Sequence, residues 1–404
     1  MKIAIVNQPL ANRGDEAAHK AFVRRLAAAL PDCQIDVIFL YALQENVDAI
    51  KVEAENVRYI IMPYRRIMGI PMKMAFFLNV FWVSYFHPTL RKFRNTLKGY
   101  DKVICAPGGI CMGGFMDWSH IWTLNVAKKL KKPIFYWGRS IGPFSDETYK
   151  KKVFKKYSYD LLRYFSYISL RDTTSVKLAK KIGITVDEVV DSAFLENPIA
   201  EIPSDLQAEL AGGEYIVFVP NELTWHYRYS SVPKENIDGF YLNIIAMLEQ
   251  KFPNAKIVML PQTYNSFVND CSYFEKLKSL SKSKNIIVID ETKSSDVQQK
   301  IIAGSKLVIG ARYHSVVFAI NNQIPFIALS YEHKIKGLLE KLGFTQNMVE
   351  IQDIFDSGNE NLRVAATESG RNLLERTIKP KNTEAKRIVE SGFEKLMVAV
   401  KYGK

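Results

Sequence analysis

Residues Leu307 to Ser315 read LVIGARYHS, and this stretch decides how we interpret the fold. The apolar residues before Gly310 predict a short buried strand. Ser315 is a favourable helix N-cap, so we expect a helix over the apolar residues 316–320 and a second strand at 325–329. A strand–helix–strand unit of this kind predicts two parallel strands in one sheet.

Charged side chains follow both of these strands. Arg312 and His314 come after the first, and Glu332 and Lys334 come after the second. Because parallel strands end at the same edge of a sheet, we expect the four side chains to lie close together beside a helix N-terminus. Two cations and a histidine in one place suit a doubly anionic ligand. The sequence therefore predicts an anion-binding active site at this edge.

Strand and helix patterns alternate along almost the whole chain, which predicts an α/β protein. Two prolines and a Gly-Gly pair within residues 197–213 predict a linker. We therefore expect two doubly wound, Rossmann-like domains facing a cleft, at 1–200 and 214–360. Residues 361–404 are charged and helical in pattern and predict a C-terminal helical tail.

The bulk composition limits the functional classes. The net charge of +13 and the pI of about 9.3 predict anionic partners, but no nucleic-acid-binding motif is present, so we expect no nucleic acid. The four cysteines form neither a disulfide framework nor a zinc pattern, and no two histidines have metal-site spacing, so we expect no metal. The N-terminus lacks a signal-peptide layout, which favours a cytoplasmic location.

One apolar stretch departs from the alternation. Residues 67–86 read IMGIPMKMAFFLNVFWVSYF and approach the length of a membrane span. Pro71 and Lys73 leave only 74–86 as a continuous apolar helix, which is too short to span. Two interpretations stay open: a buried core helix, or an apolar face that makes peripheral contact with a membrane.

Three loops after predicted strands carry further candidates. In the loop of Asn12, Gly14 and Asp15, the aspartate either caps the next helix or takes a proton from a sugar hydroxyl. Gly108 and Gly109 form either a tight turn or a loop whose amides face an anion or a sugar.

Arg171 leaves a predicted strand and enters a helix start. It can bind a phosphate or carboxylate through two donors, or it can form an ion pair with Asp172 or Asp191.

With these motifs assembled, the chain resembles the polysaccharide pyruvyl transferase family over residues 3–343. The matching pieces stand in family order: Asn12-x-Gly14-Asp15-Glu16-Ala17, Gly108-Gly109, Ser140-Ile141-Gly142-Pro143, Leu170-Arg171-Asp172, Asp191-x-Ala193-Phe194, Pro261-Gln262, Gly310-x-Arg312-Tyr313-His314-Ser315 and Tyr331-Glu332-x-Lys334. The resemblance implies a two-domain fold like that of the glycosyltransferase-B (GT-B) enzymes. It also implies transfer of the enolpyruvyl group of phosphoenolpyruvate onto two hydroxyls of one sugar as a ketal, with release of phosphate.

The resemblance implies roles for particular residues. Arg312 would bind the anion, and His314 would act in acid–base chemistry or contact the phosphate. Asp15 would activate the acceptor, and Arg171 and Lys334 would hold the leaving phosphate. The remaining substrate-binding candidates are Glu332, Asn12, Gly14, Gly108, Gly109 and Ser315.

The resemblance also implies the partners. Phosphoenolpyruvate would be a co-substrate, with no separate cofactor, bound on the side of the second domain. The acceptor, bound on the side of the first, would be a sugar of a surface polysaccharide such as an exopolysaccharide or capsule, carried on a polyprenyl lipid. The basic charge and the 67–86 stretch would then hold a cytoplasmic enzyme at the inner face of the membrane.

Two rival functions stay open. A nucleotide-sugar-dependent glycosyltransferase on the same fold would use Glu332 to bind a ribose. A non-enzymatic, membrane-associated scaffold of polysaccharide assembly would need only the basic, apolar surface. The polar residues at the strand ends argue against a scaffold, because a scaffold needs no convergent polar site.

Overall fold

The computed structural model describes residues 1–10, 12–63, 67–226, 228–264, 269–290, 292–356, 374 and 379–403. The chain forms two compact units. The first contains Met1–Leu10, Asp15–Leu195 and Lys386–Lys404, and the second contains Ala11–Gly14 and Glu196–Ala385.

The first unit is built on an eight-stranded parallel sheet. Its strand order is β3-β2-β1-β4-β6-β7-β8, and β5 pairs with β6. All eight residues of the central β6 are buried, as expected for a parallel strand covered by helices on both faces. The strands are β1 Lys2–Val6, β2 Gln34–Phe39, β3 Val57–Ile61, β4 Lys102–Cys105, β5 Gly108–Met112, β6 Ile134–Ile141, β7 Tyr167–Leu170 and β8 Asp187–Glu188.

Helices connect these strands, because parallel strands need crossover connections. They are α1 Arg13–Ala29, α2 Gln44–Ile50, α3 Gly69–Phe77, α4 Pro88–Lys98, α5 Trp118–Lys129, α6 Tyr149–Tyr164 and α7 Thr173–Lys181, with 3₁₀ helices at Phe81–Phe86 and Ser192–Leu195.

The second unit has a six-stranded parallel sheet in the order β11-β10-β9-β12-β13-β14. Its strands are β9 Tyr215–Val219, β10 Lys256–Met259, β11 Ile286–Val288, β12 Leu307–Gly310, β13 Phe326–Ser330 and β14 Met348–Glu350. Its helices are α8 Ser204–Leu210, α9 Lys234–Lys251, α10 Asp270–Ser281, α11 Ser295–Ala303, α12 Tyr313–Asn321, α13 His333–Leu342 and α14 Ile351–Asp356, with 3₁₀ helices at Leu223–Trp225 and Thr345–Asn347.

The C-terminal helix α15, Thr383–Tyr402, packs against the first unit. Glu390 accepts two hydrogen bonds from Arg25 at 2.7 and 2.6 Å, and the Lys102 ammonium donates to the carbonyl oxygen of Val400. The two doubly wound α/β units and this helical segment confirm the predicted fold class. The part of the predicted tail at 361–373 and 375–378 lies outside the described residues.

The apolar stretch 67–86 is not one helix. It forms α3 and a separate 3₁₀ helix, and Asn79 between them has a positive φ of 54°. The predicted continuous helix over 74–86 is therefore wrong. Met72 and Phe76 are buried, whereas Ile70 and Leu78 are more than half exposed. No helix in the described part of the chain is long and apolar enough to cross a membrane.

His19, in the middle of α1, should make the first unit sensitive to acid. Its Nε2 lies 3.1 Å from the hydroxyl of Tyr59, and burial, followed by the charges of Lys20 and Arg24, lowers its pKa from 6.5 to about 3. Between these two pH values the unfolded chain binds a proton that the folded chain does not. Stability should therefore fall as the pH drops below 6.5, by about 1.4 kcal/mol per pH unit, and His19 has no such effect above 6.5.

Between pH 7 and pH 5 the free energy of unfolding of the wild type should therefore fall by about 2 kcal/mol more than that of His19→Gln. Glutamine can still bond Tyr59 but does not titrate. Denaturation midpoints of both proteins at the two pH values measure the difference. If the midpoints of wild type and variant differed by the same amount at both pH values, the prediction would be wrong.

Candidate active site

The candidate site in the second unit begins where β12 ends. An added Cβ on Gly310 would lie 2.1 Å from Oγ of Ser315, so only glycine lets the first turn of α12 fold back onto the strand. Arg312 occupies the N-cap position, and the Ser315 hydroxyl donates to the carbonyl oxygen of Arg312 at 2.6 Å. The prediction that Ser315 is the N-cap is therefore wrong. Arg312 and His314 instead lie at the first turn itself, at the positive end of the helix dipole.

Arg312 is held by a buried ion pair that the sequence analysis did not identify. Its guanidinium donates to Oδ1 of Asp270, the first residue of α10, and both side chains are almost fully buried. Burial disfavours the charged form of Arg312, yet the Asp270 carboxylate raises its pKa, so the side chain remains a cation. The guanidinium carbon also lies 6.0 Å from the ring centre of Trp225.

Asp270 also organises the end of β10. Its Oδ2 accepts hydrogen bonds from the backbone amides of Gln262 and Thr263 at 3.0 and 2.9 Å. One carboxylate therefore fixes two strand ends, the one that carries Arg312 and the one that carries Gln262.

The loop of residues 12–14 attaches to this same strand end. Asn12 forms an antiparallel bridge with Thr263, and the Arg13 amide donates to the Gln262 carbonyl oxygen at 2.9 Å. Asn12 Oδ1 accepts the Gly14 amide at 2.8 Å. The helix cap at this position is thus Asn12, and the prediction that Asp15 caps α1 is wrong.

Gly14 lies directly against the imidazole of His314. A Cβ on Gly14 would come within 1.8 Å of the Nδ1 atom of His314. The sequence analysis placed Asn12, Gly14 and His314 among the site residues, and the structure brings these three together within the second unit.

Glu332 and Lys334 follow β13, which pairs directly with β12, so the predicted neighbouring strand ends are present. Their charged groups lie 3.5 Å apart and are partly exposed. Tyr331 packs edge-on against Trp225 and His226, with ring centres 6.1 and 5.5 Å away. Burial lowers the pKa of His226, so this imidazole is neutral near pH 7.

The other predicted site residues belong to the first unit. Asp15 lies in the first turn of α1. Gly108 and Gly109 begin strand β5, so the predicted loop or turn at these glycines is wrong. Arg171 donates to Asp191 at 2.5 Å, and both side chains are buried. The ion pair foreseen as one alternative is thus formed, while binding of a substrate anion by Arg171 stays a prediction.

Three side chains of the first unit could hold a metal ion. Potential ligand atoms of Cys111, Asp117 and His120 lie within 4.8 Å of one another. The buried Arg139 guanidinium, however, donates to Cys111 Sγ at 3.1 Å, and its charge disfavours a second cation there. The sequence analysis did not foresee this group, because its three residues, on β5 and at the start of α5, have no recognised metal-site spacing.

The contact between Gly14 and His314 yields a prediction. Gly14→Ala should force the imidazole out of its position, because the methyl group and the ring cannot occupy the same space. We expect a loss of about 1–3 kcal/mol in stability from overpacking. Catalytic turnover should fall by about 10²-fold if the ring is displaced by an ångström.

Gly239→Ala in α9 is the matched control, because a Cβ there would meet nothing within 4 Å. Alanine in a helix interior should stabilise the protein by about 0.5–1 kcal/mol without affecting turnover. Thermal melting and steady-state kinetics of both variants test the contact. Equal behaviour of the two variants would show that the Gly14–His314 contact does not matter.

The fold and this site define a two-unit α/β enzyme class in which a parallel sheet presents charged residues at a helix N-terminus. A model of the polysaccharide pyruvyl transferase family matches residues 12–333, which include every candidate residue described above except Lys334. The chain belongs to the polysaccharide pyruvyl transferase family, and it is therefore a transferase of polysaccharide biosynthesis.

A curated relative is the amylovoran biosynthesis protein AmsJ of Erwinia amylovora, which is 26% identical over 392 residues. The alignment covers 88% of this chain and 89% of AmsJ. Among solved structures, MnaA of S. aureus, solved with UDP, has a TM-score of 0.60 at 12% identity and covers 99% of this chain and 96% of its own. The UDP-GlcNAc 2-epimerase of Methanocaldococcus jannaschii, in complex with UDP-GlcNAc and UDP, has a TM-score of 0.56 at 14% identity, with 98% and 100% covered. At these identities the structures show the GT-B fold alone.

Proposed function

We propose that this enzyme transfers the enolpyruvyl group of phosphoenolpyruvate onto two hydroxyls of one sugar in a surface polysaccharide. The product is a cyclic ketal, and phosphate is released. The acceptor class follows from the family, and the donor and the bond pattern are our proposal.

The observation that carries the proposal is the first turn of α12. Arg312 and His314 stand at a helix N-terminus that follows a central strand, and the adjacent strand end carries Lys334. Phosphoenolpyruvate has a carboxylate and a phosphate, and a helix N-terminus with two nearby cations suits both groups. The buried Asp270 keeps Arg312 charged and fixes its position.

The proposed chemistry balances without an additional reagent. His314 donates a proton to the methylene carbon, which becomes a methyl group, and a sugar hydroxyl attacks the adjacent carbon. The C–O bond to phosphate then breaks, and a second hydroxyl of the same sugar closes the ketal ring. Of the two hydroxyl protons, one restores His314, and the other is accepted by Asp15 and passes to the departing phosphate.

The remaining predicted residues keep supporting roles in this proposal. Asn12 and Gly14 position the imidazole, and Ser315 holds the first turn of α12. Glu332 orients Lys334 toward the leaving phosphate through their ion pair.

Four residues of the first unit are proposed to act on the acceptor and the phosphate. Asp15 is the group proposed to accept the acceptor proton, and Arg171 the one proposed to bind the phosphate. Gly108 and Gly109 are proposed to bind the sugar through their backbone at the start of β5.

We further propose that the acceptor is linked to a polyprenyl lipid and that the enzyme works at the inner face of the cytoplasmic membrane. The net charge of +13 supports attraction to an anionic surface. The relative AmsJ is described as an amylovoran biosynthesis protein, which supports an exopolysaccharide as the final product here.

The decisive experiment incubates the purified protein with phosphoenolpyruvate and synthetic or lipid-linked galactosides. We expect phosphate release that depends on the acceptor, together with the mass gain of one ketal-linked pyruvate. Thermal-shift measurements should show stabilisation by phosphoenolpyruvate, about 2.7 kcal/mol at a hundred times its Kd. Stabilisation by nucleoside diphosphates alone, with consumption of a nucleotide sugar, would overturn the proposal in favour of a glycosyltransferase.

A further inference from the structure

The segment from Ile67 to Phe86 presents an apolar stripe on the outside of the first unit. Six large apolar side chains are 41–74% exposed, and they recur every three or four residues. Within α3, Ile70 and Met74 share one face, and beyond Asn79 the rings of Trp82 and Phe86 contact each other, with centres 5.5 Å apart. The six residues, here called the outer stripe, are Ile67, Ile70, Met74, Leu78, Trp82 and Phe86.

The opposite side of the same segment is firmly packed. Phe76 contacts Phe81, Trp118 and Tyr157, with ring centres 5.0, 5.3 and 4.8 Å away. Met72 and Ala75 are also buried. The residues of the outer stripe are thus exposed apolar side chains on a segment with other apolar side chains that are already buried in the core. Large exposed apolar side chains concentrated in one short segment mark an interaction surface.

The surroundings of the outer stripe are basic. Residues 67–98 contain five lysines and arginines and no acidic residue. The neighbouring helix α6 packs against α3 through Tyr149 and Phe77, with ring centres 5.9 Å apart, and it carries the exposed Lys150, Lys152 and Lys156. An apolar face with a basic border complements the surface of an anionic bilayer.

One end of the outer stripe borders a cavity. Ile67 and Lys73 line this cavity of about 430 Å³ together with Tyr41, Asp117 and Ser119. The last three residues also line an adjoining cavity of about 250 Å³ at the carboxyl edge of the first sheet. The adjoining cavity offers polar groups that suit sugar hydroxyls, including those of Asn7, Gln8, His120 and Thr123.

We propose that the outer stripe docks on an anionic phospholipid bilayer and that the two cavities receive the sugar head-group of an acceptor carried in that bilayer. The apolar side chains enter the head-group region while the lysines contact lipid phosphates. The continuity between the stripe and the cavities lets the sugar enter while its lipid remains in the membrane. The second part of this inference rests on the proposed function, whereas the docking does not.

Vesicle sedimentation tests the docking. Wild-type protein should pellet with vesicles of equal parts phosphatidylcholine and phosphatidylglycerol, less so in high salt, and only weakly with phosphatidylcholine alone. The triple variant Ile70→Ser, Trp82→Ser, Phe86→Ser should bind the mixed vesicles about ten-fold more weakly. The matched control replaces three exposed apolar residues elsewhere, Ile199→Ser, Leu280→Ser and Val398→Ser, and should pellet like the wild type.

Equal binding by the stripe variant and the control variant would overturn the docking. So would wild-type binding that is the same with and without phosphatidylglycerol. Both triple variants alter only exposed side chains, so melting temperatures near that of the wild type are expected.

Kinetics with two forms of the acceptor test the head-group site. The stripe variant should release phosphate normally with a water-soluble acceptor and about ten-fold more slowly with a vesicle-borne one. Ser119→Phe, which narrows the shared opening, should raise KM for both acceptors without changing vesicle binding. Tyr41→Ala, at an exposed position, provides a second variant should Ser119→Phe not fold.

The two proposals can fail separately. An unchanged KM in the folded cavity variants would overturn the head-group site. A wild-type protein that pellets with anionic vesicles but never releases phosphate would remove the proposed function and leave the docking in place. Phosphate release with the soluble acceptor but no vesicle binding would remove the docking and leave the proposed function in place.

Discussion

Replacing His314 by alanine is expected to lower the rate of acceptor-dependent phosphate release by about 10²–10⁴-fold, the usual contribution of a positioned acid or base. The side chain is almost fully buried at the first turn of α12, with Gly14 against its ring. Its removal leaves a cavity, and melting curves of the variant measure the cost of that cavity separately from the loss of turnover.

His314→Asn separates the two roles that the sequence left open for this histidine. Asparagine can still donate a hydrogen bond to phosphate but cannot transfer a proton near neutral pH. If His314 is the proton donor, kcat falls in both variants and the pH–rate profile loses one limb. If it only contacts phosphate, His314→Asn should retain most of kcat, and KM for phosphoenolpyruvate should rise in His314→Ala. Turnover within two-fold of wild type in both variants would remove His314 from the site.

The sequence predicted where the candidate residues lie in the fold because the strand pattern is locally encoded. Apolar runs that end in glycine or a polar residue predicted β12 and β13, and a short connection between them required parallel pairing. From this alone Arg312 and Lys334 fall at adjacent strand ends, as the structure shows.

The start of α12 could not be predicted from capping preference. Ser315 is a better N-cap than Arg312 by residue type. The helix begins earlier because Gly310 has no side chain, which lets the turn close against the strand and brings the Ser315 hydroxyl onto the Arg312 carbonyl oxygen. Gly108 and Gly109 show a similar tertiary effect. Glycine disfavours strands, yet Arg139 donates to the carbonyl oxygens of Ala106 and Gly109 and holds β5 against β6.

Two other features needed the fold itself. Asp270 lies 42 positions from Arg312, and nothing in its local sequence marks it as the partner of that arginine. In residues 67–86 nearly every side chain is apolar, so the sequence could not show which ones face inward. The structure shows that some of them are core and others are exposed, and contact of the exposed ones with a membrane stays a proposal.

Replacing Asp270 by alanine is expected to lower the free energy of unfolding by about 3–5 kcal/mol, because it leaves Arg312 as a buried charge without its partner. It also removes the acceptor for the Gln262 and Thr263 amides. The double variant Asp270→Ala, Arg312→Met should recover much of this loss, since removing both charges abolishes the unpaired cation. Glu214→Ala, which breaks an exposed pair with Lys306, is the control and should cost no more than about 1 kcal/mol.

In this set of variants stability and ligand binding should change in different directions. The comparison shows whether Arg312 binds the ligand or only stabilises the fold. Denaturation midpoints should rank the double variant above Asp270→Ala, whereas binding of phosphoenolpyruvate should be lost in the double variant because its cation is gone. If the double variant still bound phosphoenolpyruvate as tightly as the wild type, Arg312 would be a structural residue only. The anion would then have to be held by other groups at this edge of the sheet, among them Lys334 and the backbone amides of α12.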